Sequence, residues 1–378
     1  MAKNGPLRVL IVDDSALMRK LLKDLLSDSD EVEVVGLARD GEQALEMAAE
    51  LEPDVITLDV EMPGRSGIEI LPELLANRPV PVLMVSSLTQ EGAETTLAAL
   101  SLGAVDYLPK PTHNQLAQMR AAQDLLLAKV KAAARCRVIR PRLSGTIPTL
   151  PPSSHSVARA PEPKPVPPPT PPPRRTTGSA RGPHCVVVGI STGGPQALDQ
   201  VLPFLRPPMP PIVIVQHMPG TFTGVFAKRL ERACAVAVRE ATEGMRIAAD
   251  QIIIAPGGRH LAIIGQASTA KISLSDDPPV SGHRPSVDVL FRSAAKVFGP
   301  QTLGLIMTGM GRDGVEGCKA ILEAGGSTMG QDEATSVVYG MNKAAWVEGT
   351  LHRQFALAEF PEIIRSFPSA HRDRHEPG

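Results

Sequence analysis

The sequence predicts an α/β protein of two three-layer domains, each a parallel sheet covered by helices on both faces, joined by a tether. Three observations lead there. Short β-branched runs alternate with helix-length amphipathic stretches on either side of the chain's middle. The length, 378 residues, suits two ordinary domains. Of the 37 prolines, 14 fall within residues 141–183, a stretch that can neither maintain a helix ladder nor bury an apolar face.

Taken in order, the first half reads LRVLIVDD, SALMRKLLKDLL, VEVVGLA, GEQALEMAAE, DVITLD, GIEILPELLA, VPVLMVSS, EGAETTLAALSLG and VDYLP, with a last helix near 113–134. These are five strand and helix pairs. After the tether come CVVVGIS, PQALDQVLPFL, PIVIVQH, GTFTGVFAKRLERA, AVAVREA and QIIIAPG, a hairpin from HLAIIG and KISLSD, then SVDVLFRSAAKVFG, TLGLIMTG, GVEGCKAILEAG and STMGQDE. The expected divisions are 1–134, a Pro-rich linker over 135–183, and 184–378. The regular part of the last domain is expected to end near 350, with a frayed polar tail beyond Leu351.

Composition narrows the function. With 39 basic against 40 acidic residues, bulk charge argues against a general nucleic-acid or acidic-lipid binder. An aromatic share of 3% calls for aliphatic cores and disfavours base-stacking platforms. Cys136, Cys185, Cys234 and Cys318 lack CxxC spacing and read as inert thiols of a reduced cytoplasmic protein. No run approaches the ~18 apolar residues that span a bilayer. The tether reads first as a spacer, and second as a docking segment for a polyproline-binding partner.

In the first domain Asp13 and Asp14 end the first strand, Asp59 the third, Ser86 the fourth, and Lys110 follows the fifth. Parallel sheets gather such ends at one edge. Carboxylates crowded there repel one another unless a hard divalent cation such as Mg²⁺ relieves them. A cation, an ammonium and a hydroxyl around one Asp are the parts that form and hold an aspartyl phosphate. Singly, each residue has a plainer role: a helix cap, a surface lysine, a backbone-bonded serine. Together, IVDDSALMR, DVITLDVEMPGRSG, VPVLMVSS and GAVDYLPKP resemble the receiver domain of two-component response regulators. The resemblance implies a flavodoxin-like fold, Asp59 as phosphoacceptor, Asp13, Asp14 and Asp59 around Mg²⁺, and Ser86, Tyr107 and Lys110 as phosphate-sensing residues. Ser87 also ends that strand, so the choice of Ser86 rests on register.

In the second domain CVVVGISTGGPQ carries Ser191 through a strand-to-helix turn beside free backbone N–H groups. A phosphate-cradling loop and a serine nucleophile compete as readings, and the absence of GxGxxG and GxxxxGK[ST] from this segment weakens the first. A helix cap is the plainer alternative. His217 ends the next strand and Asp313 follows a later one, so joined strand ends would assemble nucleophile, base and orienting acid. The order Ser, His, Asp is not the Ser, Asp, His order of an α/β hydrolase, so that superfamily is not assigned. His260 and His283 compete for the base role, and no Cys or HExxH spacing supports a metal site among the histidines. Glycines on both sides of Met310 suit a backbone amide aimed at an oxyanion.

GISTGGPQAL, VIVQHMPGTFT, IIIAPGGRH, SGHRPSVDVLF and LIMTGMGRDGVEG together resemble the catalytic domain of chemotaxis protein-glutamate methylesterases, whose layout is also receiver, linker, esterase. The resemblance implies a Rossmann-like doubly wound domain, the triad Ser191, His217 and Asp313, and an oxyanion contact from Met310. Its implied substrates are glutamate γ-methyl esters on chemoreceptors, with receptor glutamines as a second class. A chemotaxis histidine kinase is the implied phosphodonor, with no cofactor for hydrolysis and neither nucleic-acid binding nor membrane insertion. The implied location is cytoplasmic, with recruitment to chemoreceptor arrays. Arg312 stands where the family usually has asparagine, and Arg259 and Arg284 are candidate contacts for an acidic receptor. The rival readings are a non-catalytic response regulator acting by protein binding, and a Ser-His-Asp hydrolase or amidase with a non-receptor substrate.

Overall fold

The computed structural model describes residues 5–110, 116–136 and 183–370. Residues 137–182 of the proline-rich linker and the last eight residues lie outside them. In the N-terminal part, β1 (Leu7–Val12), α1 (Ala16–Ser27), β2 (Val32–Ala38), α2 (Gly41–Leu51), β3 (Val55–Asp59), α3 (Gly67–Asn77), β4 (Val82–Ser86), α4 (Gln90–Ser101), β5 (Asp106–Pro109) and α5 (Leu116–Ala134) alternate as the sequence predicts. The sheet is parallel, in the order β2-β1-β3-β4-β5. Helix starts follow local chemistry: the Ser15, Asp40 and Thr89 side chains accept from the backbone amides of Met18, Gln43 and Gly92.

The second sheet domain runs β6 (Cys185–Ile190), α6 (Gly194–Val201), β7 (Ile212–Gln216), α7 (Gly220–Ala233), β8 (Ala237–Glu240), β9 (Gln251–Ile254), β10 (His260–Ile264), β11 (Lys271–Ser275) and α8 (Val287–Phe298). It continues through β12 (Thr302–Ile306), α9 (Val315–Glu323), β13 (Ser327–Gln331), α10 (Met341–Val347), β14 (Arg353–Phe355) and α11 (Phe360–Ala370). Seven parallel strands take the order β14-β13-β12-β6-β7-β9-β8, and β10 and β11 form the separate antiparallel hairpin. Strands β6 and β7 are buried throughout, as expected of runs such as CVVVGI covered on both faces.

Two expectations need correction. As far as Ala370 the chain beyond Leu351 is regular: β14 extends the sheet beside β13, and α11 buries Phe360, Ile363, Ile364 and Phe367, while the rest of the expected tail lies outside the described residues. The apolar residues of FPEIIRSF recur at helical spacing just ahead of the polar residues after 370. Nor is the core wholly aliphatic. Phe222, Phe226, Phe291, Phe355 and Phe360 are among the largest fully buried side chains, and all belong to the second domain. The few aromatic residues are concentrated where the sheet is widest. Among the described residues no helix is long and apolar enough to cross a membrane.

The two sheet domains are in contact. The Tyr107 ring stacks on Phe222 of α7, with centroids 4.7 Å apart and planes inclined by 10°. Arg229 on α7 donates to Leu97 O and Ser101 Oγ of α4 and pairs with Asp199 of α6, while the Gln196 amide donates to Ala104 O. Truncation of the fully buried Phe360 to alanine should cost about 3–5 kcal/mol, the usual penalty for emptying a phenylalanine site. Chemical denaturation of the variant, followed against the wild-type chain, measures this.

Candidate active site

In the first sheet the chain order reverses between β1 and β3, so the loops leaving those strands diverge and open a crevice at their C-terminal ends. Asp13 and Asp59 are buried there and Asp14 is exposed, and their carboxylate oxygens lie within 4.8 Å of one another. Lys110 Nζ stands 2.7 Å from Asp59 Oδ2 and 3.4 Å from Asp13 Oδ2. Burial raises the Asp59 pKa to about 6; the Lys110 hydrogen bond opposes the rise and the Asp13 charge adds to it. Asp13 Oδ2 is buried without a hydrogen-bond partner. Crowded oxygens, an unsatisfied buried carboxylate atom and one incompletely compensating lysine fit a hard divalent cation.

Ser86, the last residue of β4, is buried and hydrogen-bonds through its hydroxyl to the carbonyls of Gly92 and Ser87. The Ser87 hydroxyl instead meets Thr89 Oγ1 at 3.1 Å. Tyr107 is buried under Phe222, with Lys129 Nζ 5.3 Å from its ring centroid.

The second sheet repeats the device, its order reversing between β6 and β12. Ser191 follows β6, and Gly309, Met310 and Asp313 follow β12. The register pairs Ile190 with Gln216 and therefore sets Ser191 and His217 at neighbouring strand ends. His217 N donates to Ile190 O at 3.1 Å, and Gln216 Nε2 donates to Ser191 O at 3.0 Å. Gly309 allows the β12 turn to come close: a Cβ there would lie 2.7 Å from Ser191 Cβ and 2.5 Å from Met341 Sδ. Gly311, with φ +92°, completes the turn around Met310.

Asp313 is almost wholly buried and held at the N-terminus of α8. It accepts from His217 Nε2 at 2.8 Å, Val287 N at 2.8 Å, Ser286 Oγ at 2.7 Å and Asp288 N at 3.2 Å. Burial alone would raise its pKa, but the His217 hydrogen bond and charge, the Val287 amide and the Ser286 hydroxyl outweigh this and hold it below the usual range. With Nε2 given to Asp313, His217 Nδ1 is buried and has no hydrogen-bond partner. That leaves Nδ1 as the ring nitrogen without a partner, on a residue whose strand end neighbours that of Ser191.

The competing histidines separate by their contacts. His260 is consumed structurally, accepting from Ser286 N on Nδ1 at 3.2 Å while Nε2 meets Pro278 O at 3.1 Å. His283 stacks on His217. The candidate receptor contacts are also engaged within the chain: Arg259 with Leu274 O and Asp276, Arg284 with Asp276 O and Asp277 O. Arg312 pairs with both Glu348 oxygens at 2.9 Å.

Several residues were invisible to motif reading. Thr192, next to the nucleophile position, donates to Asp106 Oδ2 of β5 at 2.7 Å, and Lys129 Nζ meets the same oxygen at 2.5 Å. Thr308 Oγ1 donates to Thr192 O and accepts from Val338 N, pinning the segment between β13 and α10 beneath the serine turn. Ser286 could have been suspected only as the residue preceding a helix. A cavity of about 810 Å³ runs between α5 (Ala128, Lys131, Ala132) and that segment (Glu333, Val337), with Met310 in its wall.

Comparison with known families finds a match for each domain. Residues 186–364 match the CheB methylesterase family and residues 9–121 the response regulator receiver domain. A protein-glutamate methylesterase/protein-glutamine glutaminase of Rhizobium johnstonii is 44% identical over 99% of this chain and 100% of its own. The chain belongs to the protein-glutamate methylesterase family. A methylesterase relative from Koribacter versatilis is 42% identical over 98% of both chains. The crystal structure of the Thermotoga maritima CheB methylesterase catalytic domain is 36% identical over 48% of this chain and 97% of that one, with a TM-score of 0.47.

A Cβ at position 309 should disturb this methylesterase site without touching the receiver. Gly309→Ala is expected to lower turnover by about 10²-fold or more, since an ångström of misplacement costs that much, while phosphorylation of the receiver stays normal. Parallel hydrolysis and phosphorylation assays check both halves.

Proposed function

We propose that this chain removes γ-methyl groups from glutamate side chains of chemoreceptors under the control of receiver phosphorylation. The observation that carries the reading is the His217–Asp313 couple, with an unpartnered basic nitrogen, at the strand end beside Ser191. On this reading Ser191 Oγ gives its proton to His217 Nδ1 and bonds to the ester carbonyl carbon. The Met310 amide, turned by its flanking glycines, receives the oxyanion. Asp313 stabilises the imidazolium, which returns the proton to the departing methoxide as methanol. Water, deprotonated by the same nitrogen, then opens the acyl-enzyme and frees glutamate and Ser191. A receptor glutamine would follow the same path with ammonia as the leaving group.

In the receiver, Asp59 would accept a phosphoryl group from a chemotaxis histidine kinase, with Lys110 pairing its oxygens and Ser86 and Tyr107 responding. Asp13, Asp14 and Asp59 would hold Mg²⁺, which when bound neutralises charge on the transferred group. The contacts between the domains support regulation by this event. Asp106 grips Thr192 beside the nucleophile and Tyr107 stacks on Phe222, so movement around β5 is felt at the esterase site. A cytoplasmic setting, with recruitment to receptor arrays, follows from the proposed substrate. The proline-rich linker (135–183) and the domain limits 1–134 and 184–378 belong to the same reading, the linker permitting the domains to part.

Methanol release from methylated receptor membranes tests the proposal. The wild-type chain should release it, and Ser191→Ala should lose roughly 10⁴-fold or more of the rate. Serine-independent release, or none from the wild type, would sink the reading. Asp106→Ala, which removes the hold on Thr192, should raise the activity of the unphosphorylated chain several-fold and narrow the gap to the phosphorylated form. An unchanged ratio would mean that this contact does not transmit control.

A further inference from the structure

The Asp313 hydrogen bond fixes one point of the His217 ring and leaves its plane to be set by something else. Its face is covered by His283, whose ring lies parallel at 5° with centroids 3.8 Å apart, too close for an intervening water. This contact is built by the chain around it. Val280 and His283 exchange both backbone hydrogen bonds, and between them Ser281 (φ 52°) and Gly282 (φ 78°) supply the paired positive φ of a type I′ turn. Ser281 is not glycine, and its hydroxyl is tied to Asp288 Oδ2 at 3.2 Å. The other Asp288 oxygen accepts from Gly314 N and Gly317 N, in the segment that follows Asp313. The turn carrying His283 and the loop carrying Asp313 therefore share one anchor.

The charged and titratable groups acting on His283 are His217 after β7, Asp313 after β12 and Lys129 on α5 of the receiver. Burial, followed by the His217 and Lys129 charges, outweighs Asp313 and lowers the His283 pKa to about 4. At neutral pH the ring is uncharged. A neutral π face against an imidazolium is favourable, whereas a second imidazolium would repel it.

We propose that His283 is a positioning residue for His217, a neutral ring stacked on the base that fixes its plane and keeps Nδ1 turned toward Ser191. The proposal rests on the assignment of Ser191 and His217 as nucleophile and base, but not on the identity of the ester. Two readouts on the full-length chain keep these apart: methanol release from receptor membranes, and covalent capture of Ser191 by a fluorophosphonate probe, each followed across the pH range. His283→Ala and His283→Gln, which abolish stacking, should lower kcat and the capture rate about tenfold or more with KM within about twofold. His283→Phe, flat and unable to titrate, should recover most of both rates and leave the acid limb of the pH profile where the wild type has it. Wild-type rates in the Ala and Gln variants would overturn the proposal. So would a Phe variant as inactive as His217→Ala, which would make His283 itself the proton carrier. Because Gln retains polarity and Phe retains the ring, their contrast decides the matter even if Ala lowers the melting temperature. Normal capture without methanol release from the wild type would remove the receptor-ester reading and leave the stacking proposal intact.

Discussion

Both sites in this chain depend on one geometrical constraint: a parallel sheet whose strand order reverses leaves a crevice between the two loops that diverge at the reversal. Between β1 and β3 that crevice gathers three carboxylates and a lysine; between β6 and β12 it gathers a serine, a glycine-flanked amide and a buried acid. Strand ends furnish fixed backbone positions at small cost in loop entropy, and the chemistry comes from a few side chains placed on them. The two sites differ in how charge is managed. In the receiver, buried carboxylates are left partly uncompensated, which suits a site that takes up a cation. In the esterase domain, the buried acid is satisfied by the first amides of a helix, a serine hydroxyl and the imidazole, which suits a permanent partner for a base.

The acid is also what links distant segments. Asp313 joins the loop after β12 to the start of α8 and to the end of β7, and Asp288, one residue into α8, returns the connection to α9 and to the turn at Ser281. A buried carboxylate costs several kcal/mol unless satisfied, so each of these donors is needed for the others to be useful. The interface with the receiver attaches to this assembly at Thr192, through an oxygen of Asp106 that Lys129 also neutralises. Phe222, packed on Tyr107, carries the same connection through apolar contact. From β5, a polar link thus reaches the serine turn at Thr192 and an apolar one reaches α7 at Phe222.

Element types and order were legible because strand-length β-branched runs and amphipathic helices alternate along most of the chain, apart from the successive strands β8 to β11. The C-terminal strand and helix were missed because β14 spans only Arg353–Phe355 and the charged residues beyond 370 dominate the local composition. The residues proposed for catalysis and phosphorylation lie at the ends of strong strands, where a motif and a plausible strand end coincide. Gln216, Ser286, Thr308 and Asp106 act through contacts with residues far away in sequence, and a polar residue of that kind has no local signature.

What the sequence by itself determined is the chain's alternating α/β pattern, the division by a proline-rich stretch, and the side chains available at each strand end. Those follow from periodicity and local backbone preference, which are properties of neighbouring residues. Only the tertiary structure decided which histidine pairs with Asp313, which is spent on backbone groups and which stacks on His217. Three histidines in glycine-rich loops look alike along the chain. They are told apart by hydrogen bonds and ring contacts between segments brought together when the sheet forms, and for His217 and Asp313 those segments are 96 residues apart.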